Sequence, residues 1–580
     1  MKFFRVPLLL CALGGFVLPG FALDRAAFTF TSYDLNVRVE PEQQRLGVRG
    51  KITLRNDSSA AQQNAALQIS STLNWSSIRI AGQPVPFLTQ VYTSDIDHTG
   101  ALSEAVLTFP HAIAPKQTIE LEVGYEGIIP QDATRLTRIG VPEDTAKHSD
   151  WDQISRTFTA VRGIGYVVWY PIATESANLS EPSSVSMEVG RWKERHAETR
   201  FDVDLCLVRS ESQPVAQNLM NEPRPFAAKA GGDGETTCVS HSYHPLGTLA
   251  PVFAIGHYSN LSKPAVEMHY LADHKAAADD YLLAVEQVAP FIDRWFGDHR
   301  ASPDVKAEVV DLPDQGAAPF ESGNMLLTPL TDDDTTMLLS ALRQLTHVVF
   351  PSPRPWIFDG LPLFAQLIYL EKEKGRTAAL AYLENHRNVL LQSETHKDSS
   401  QPDWGTQDSL INSPDEFYVA AKSMYVWWML RDMVGEAALI AALHNYKAAS
   451  DTRADYFEML IEAQAHRDLS WFFNDWVYRD RGLPDFRIVS VYPRQLATGG
   501  YLVTVTVENR GTAAAEVPVT LKSAATEDSS RLMVPPKSTA SVRIEIPAMP
   551  LEAVVNDGSV PETDPSNNRY PIHPGSEMEN

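Results

Sequence analysis

Arg343-Gln344-Leu345-Thr346-His347, followed after a short connection by Trp356-Ile357-Phe358-Asp359-Gly360, is the stretch on which the reading of this chain turns. The residues from Asp334 to Phe350 carry a helical period. Leu338, Ala341, Leu342, Leu345, Val348 and Val349 form an apolar stripe, and Thr336, Ser340, Arg343 and His347 form a polar one. Arg343 and His347 lie one turn apart, so their side chains share a face. His347 and Asp359 are of the types that bind metals or move protons. Arg343 is of the opposite kind, because a guanidinium has no lone pair to give and stays charged at any usable pH. Taken alone, a polar row opposite a core stripe meets solvent, and an Asp shortly before Pro362 caps the following helix. His347 then reads as a surface or hydrogen-bonded histidine and Asp359 as a cap.

The chain around this stretch is 580 residues long, which a prior of roughly 150 residues per domain divides into about four. Its 44% hydrophobic and 21% charged residues are ordinary for a globular protein. A net charge of -24 without any basic run excludes nucleic acid as a partner, since phosphates demand clustered Lys and Arg. Lys2 and Arg5, the apolar run from Val6 to Val17, and Pro19-Gly20-Phe21-Ala22 have the three parts of a secretory signal cleaved after Ala22. The expected location is therefore the periplasm or the exterior, with no membrane span in the mature chain. A retained anchor is the alternative. Cys206 and Cys238 remain after cleavage, and an even pair in an oxidising compartment reads as a disulfide or else as two buried thiols.

Periodicity gives the domains. Tyr33 to Val39 and Thr118 to Val123 alternate apolar and polar residues, so residues 23–262 read as an antiparallel β domain. Near Ser262-Lys263-Pro264 the period becomes helical. Tyr281, Leu282, Val285, Val288, Phe291, Ile292 and Trp295 form a stripe ending at Gly297. Further helices are expected at Asp334–Phe350, Pro362–Lys374, Thr377–Leu391 and Tyr418–Met433, making residues 263–485 an α-rich domain. Alternation returns in Tyr501–Val507 and Ala540–Ile546, which marks 486–570 as an immunoglobulin-like β sandwich, with a disordered tail at 571–580.

The order of features through the middle resembles the gluzincin zinc aminopeptidases, the alanyl and leucyl aminopeptidase family. Arg343 to His347 stands where that family has H-E-x-x-H, and Trp356 to Gly360 is similar to its Trp-Leu-Asn-Glu-Gly. Phe320-Glu321-Ser322-Gly323-Asn324-Met325 takes the place of its Gly-Ala-Met-Glu-Asn strand. Lys422-Ser423-Met424-Tyr425 is similar to its Lys-Gly-Ala helix, and Asp468 to Trp476 with Gly482-Leu483-Pro484 to the close of its catalytic domain. The resemblance runs from residue 28 to 485. It implies an N-terminal β saddle, a thermolysin-like helical domain, and Glu321 as a candidate carboxylate for a substrate amine.

The departures carry the functional reading. Arg343 replaces the first zinc-binding His, Gln344 the general-base Glu, and Ala420 the assisting Tyr, with Tyr418 out of register. A glutamine amide cannot take a proton from water. His347 and Asp359 remain as degenerate metal positions, one short of the three protein ligands of catalytic zinc sites. The expectation is an ion pair between Arg343 and Asp359 across the former metal site. At an effective dielectric of about 20, opposite charges about 4 Å apart attract by about 4 kcal/mol before desolvation. The chain thus reads as a pseudopeptidase without a cofactor that binds a peptide or protein in its cleft. Two alternatives stay open. One is an active zinc aminopeptidase drawing ligands from His386, His396, His444 or His466, and the other is a surface module acting through its C-terminal sandwich. Trp427, Trp428, Trp471, Phe472, Phe473 and Trp476 read as cleft lining or, more simply, as core. Oligomeric state is left open.

Overall fold

The computed structural model describes residues 23–208, 217–221, 228–230, 236–331, 333–394 and 409–572. The expected signal segment and most of the expected tail fall outside these residues, as does His396.

Alternation in the first strand dictates the first layer. In Phe28–Glu40, Tyr33, Leu35, Val37 and Val39 point inward while Asn36 and Arg38 face out. This strand pairs antiparallel with Arg45–Asn56 and parallel with Arg200–Val208, at the centre of an eight-stranded sheet. A three-stranded sheet of Gln62–Ser70, Ala101–Ile113 and Phe87–Thr93 shares the same apolar core. Cys206 lies directly opposite Cys238 in neighbouring strands, and their sulfurs are bonded at 2.06 Å. A helix, α1 (Ser184–Arg195), buries Trp192 against Phe30 and His196 and directs Lys193 to Glu416.

The expected change to helix at residue 263 is displaced. Val266–Leu271 is a strand, followed by the long helix α2 (Lys275–Phe296), which crosses over to the parallel strand Ala307–Asp311. These belong to a five-stranded mixed sheet ordered Tyr258–Ser262, Val266–Leu271, Ala307–Asp311, Met325–Thr328, Phe320–Ser322. The sheet brings Phe320–Ser322 to an edge. Beyond it come α3 (Asp334–Val349), α4 (Gly360–Lys374) and α5 (Glu416–Val434). The single helix expected at Thr377–Leu391 is two, Arg376–Glu384 and Arg387–Glu394.

The C-terminal strands form two antiparallel sheets with alternating burial. One holds Phe486–Gln495, Tyr501–Asn509 and Ser538–Ile546, and the other Glu527–Val534, Ala515–Lys522, Glu552–Val555 and Arg569–Pro571. Their apolar residues join the core of the helices in one continuous cluster. Trp476 Nε1 donates to Ala514 O at 2.8 Å, and Arg376 pairs with Asp557 at 2.9 Å.

Candidate functional site

Helix α3 begins at Asp333, whose carboxylate accepts the Thr336 amide at 3.2 Å. Ala341, Leu342, Leu345 and Val348 face the core. The opposite row meets water at Thr336 but is progressively covered toward His347, which is buried. The edge strand Phe320–Ser322 lies across it, and the tight turn that starts the next strand uses Gly323 at φ +62°. Gln344, almost wholly buried, donates its amide to Asn324 O in this turn and leaves its Oε1 without a partner. The Gln344 side chain is thereby used to hold the strand to the helix.

The edge strand delivers Glu321 to Arg343 and His347. Arg343 Nε donates to Glu321 Oε2 at 2.6 Å, and His347 Nδ1 contacts Glu321 Oε1 at 2.6 Å. His347 is buried, with its ring 4.7 Å from that of Phe358, so of the two readings, surface or hydrogen-bonded, the structure shows the second. Burial would push the Glu321 carboxyl up, but His347 and Arg343 outweigh it and hold it at about 2. Each oxygen of Glu321, the candidate for a substrate amine, is engaged by one of these residues. The guanidinium pairs with Glu321 instead of the expected Asp359, because the edge strand sets a carboxylate closer to it.

Asp359 ends the short helical turn Pro355–Phe358 and precedes α4. Its position depends on Gly360, where a Cβ would come within 2.5 Å of Ser423 Cβ on α5. The Asp359 side chain makes no capping hydrogen bond to α4, so the cap reading fails. Its Oδ1 stands 4.0 Å from His347 Nε2, beyond hydrogen-bond reach, and that nitrogen is buried without a partner. Burial, and then Glu416, push the Asp359 carboxyl up to about 6 against His347, Arg343 and Lys193. The side chains of Asp359 and Arg343 stay 36% and 40% exposed, so the recess among these charged residues opens to solvent.

Two residues of this recess carry no signal in the sequence. Lys193 of α1 pairs with Glu416 at the start of α5 at 2.9 Å, bringing the β-rich region against the helices. Close approach makes this possible, since a Cβ on Gly190 would lie 1.8 Å from Pro414 O. Tyr382 and His386 lie within electrostatic range of Arg343 on another side. Lys422 and Tyr418 belong to a different cluster. Lys422 Nζ is 2.7 Å from Asp480 Oδ1 and 3.0 Å from the Tyr418 hydroxyl, which also donates to Asp480. Ala420 packs at the edge of the core. Trp427, Trp428, Phe472, Phe473 and Trp476 are buried core, with Trp471 packed against them.

Zinc does not suit these residues. Arg343 offers no electron pair, Glu321 is committed to Arg343 and His347, and Gln344 faces the backbone. Among the described residues, no group of three or more His, Cys, Asp or Glu side chains is arranged to hold a metal. His386 Nδ1 is engaged with Tyr382 O at 3.2 Å and His444 Nε2 with Arg294 O at 3.1 Å, while His466 ends its own helix in a left-handed conformation.

No family model matches the chain, and no curated protein matches it. Among solved structures it is similar to an M1 zinc metallopeptidase from Deinococcus radiodurans, at 15% identity and a TM-score of 0.48 over 80% of this chain and 97% of that one. A mutant of an M1 zinc metallopeptidase from the same organism, bound to a Tyr-Ser-Ala substrate, is similar at 14% identity and TM-score 0.46, with the same coverage. A two-domain M1 zinc metallopeptidase mutant bound to L-tryptophan is similar at 15% identity and TM-score 0.45 over 80% of this chain and 97% of that one. Similarity of this degree places M1 metallopeptidases among the chain's structural neighbours and assigns it no chemistry.

Proposed function

We propose that this is an exported protein of aminopeptidase-like architecture that binds a peptide or protein segment in its recess without hydrolysing it. The observation that carries this reading is the Arg343–Glu321–His347 arrangement. Where a hydrolytic site would need a metal ligand, a positive group stands in an ion pair with a carboxylate that also engages the neighbouring imidazole. A cation fixed there opposes entry of a divalent ion by charge, and Gln344 leaves no base beside it. The recess still has walls from two regions of the chain, with charged side chains reaching solvent, as a binding site for a polar chain requires.

The test is metal analysis of protein produced in zinc-supplemented medium, together with turnover of aminoacyl fluorogenic amides with and without chelator. The expected result is less than stoichiometric zinc and no chelator-sensitive turnover. Stoichiometric zinc with turnover that a chelator abolishes would overturn the proposal.

A further inference from the structure

Charge in the recess is mostly cancelled in pairs, Lys193 with Glu416 and Arg343 with Glu321. Arg343, however, commits only its Nε. Its Nη1 and Nη2 have no hydrogen-bond partner among the described residues, and 40% of the side chain is open to solvent. Glu321, itself mostly buried, is kept from swinging by His347 on its other oxygen, so the guanidinium plane is held and its terminal nitrogens form a fixed fork. Such a fork suits two oxygens in one plane. Asp359 lies within electrostatic range of Arg343 and opposes a dianion more strongly than a monoanion, which favours carboxylate over phosphate.

We infer that Arg343 is the anchor for a carboxylate of the bound ligand, either the C-terminus of a peptide or an acidic side chain, gripped through Nη1 and Nη2. This rests on the reading of the recess as a peptide-binding site. It sets the orientation of the ligand by its acidic group.

Calorimetric titration of the whole protein with tetra-alanine, tetra-alanine amide and Ala-Ala-Glu-Ala amide tests it. Tetra-alanine is expected to bind about tenfold or more tightly than its amide if the C-terminus is the source. If the side chain is the source, the Glu-containing amide gains that margin instead. Arg343→Met is expected to erase the margin. Arg343→Lys, which keeps the charge and a partner for Glu321 but not the fork, is expected to reduce it. Equal binding of all three peptides to the unaltered protein would overturn the inference and leave the binding reading standing. Absence of binding by any of them would overturn both. A full margin surviving in folded Arg343→Met, or in Arg343→Lys should the first variant not fold, would also overturn it.

Discussion

Glu321 and Asp359 flank the same imidazole and are displaced in opposite directions, so they respond oppositely to pH. Glu321 is held at about 2 when folded, below its ordinary range, so its contribution is complete above about pH 4.5 and is lost as pH falls toward 2. Asp359 is raised to about 6, so its ionisation costs stability progressively between about pH 4 and 6. Asp359→Asn is therefore expected to match the parent below pH 4 and to exceed it above pH 6. Solvent contact limits the gain to roughly 1 kcal/mol, read from urea midpoints across that range. Glu321→Gln leaves Arg343 without its carboxylate and is expected to cost about 1 to 3 kcal/mol at pH 7 by the same measurement, since Arg343 is partly solvated. Positions 343, 344, 347 and 359 were singled out by their resemblance to the aminopeptidase family's H-E-x-x-H and Trp-Leu-Asn-Glu-Gly segments. The partner of Arg343 was not, because Glu321 approaches from another strand and one-dimensional periodicity carries no information about which carboxylate lies nearer. Lys193 and Glu416 were invisible for the same reason. Each is an ordinary charged residue on a helix, and only packing of distant segments brings them together.

Helices α1 and α5 meet where Gly190 admits Pro414 O, and the Lys193–Glu416 pair depends on that contact. Gly190→Ala is expected to force the two elements apart, costing about 1 to 3 kcal/mol. Faster amide exchange in α1 than in α3 would verify that the effect is local. At this scale, strong periodicity located α2, α3, α4 and α5 to within a few residues. Val266–Leu271 escaped because six residues with a buried His269 and Tyr270 do not alternate cleanly, and because Lys263-Pro264 imitates a helix entrance. The division at Asn385-His386 was missed since the apolar spacing continues across it, while both residues form helix weakly.

The C-terminal sandwich was legible as strands but not as part of a shared core. Its inner residues continue the apolar cluster of the helices, and the buried Trp476 hydrogen-bonds across the junction. Ending the chain at Pro484 is accordingly expected to yield an aggregating protein, whereas residues 263–572 in the full chain should unfold in a single transition. Scanning calorimetry and light scattering would check this, and a soluble, separately melting sandwich would show the junction to be dispensable. The parallel pairing of Phe28–Glu40 with Arg200–Val208 bears on the order of events in time. The earliest described strand occupies the middle of its sheet, yet one of its two neighbours is made only after about 160 more residues, a closure that raises contact order. A chain in the act of synthesis must therefore carry that strand half-satisfied for most of the β region's length. Until Arg200–Val208 has emerged, the sheet cannot close on that side.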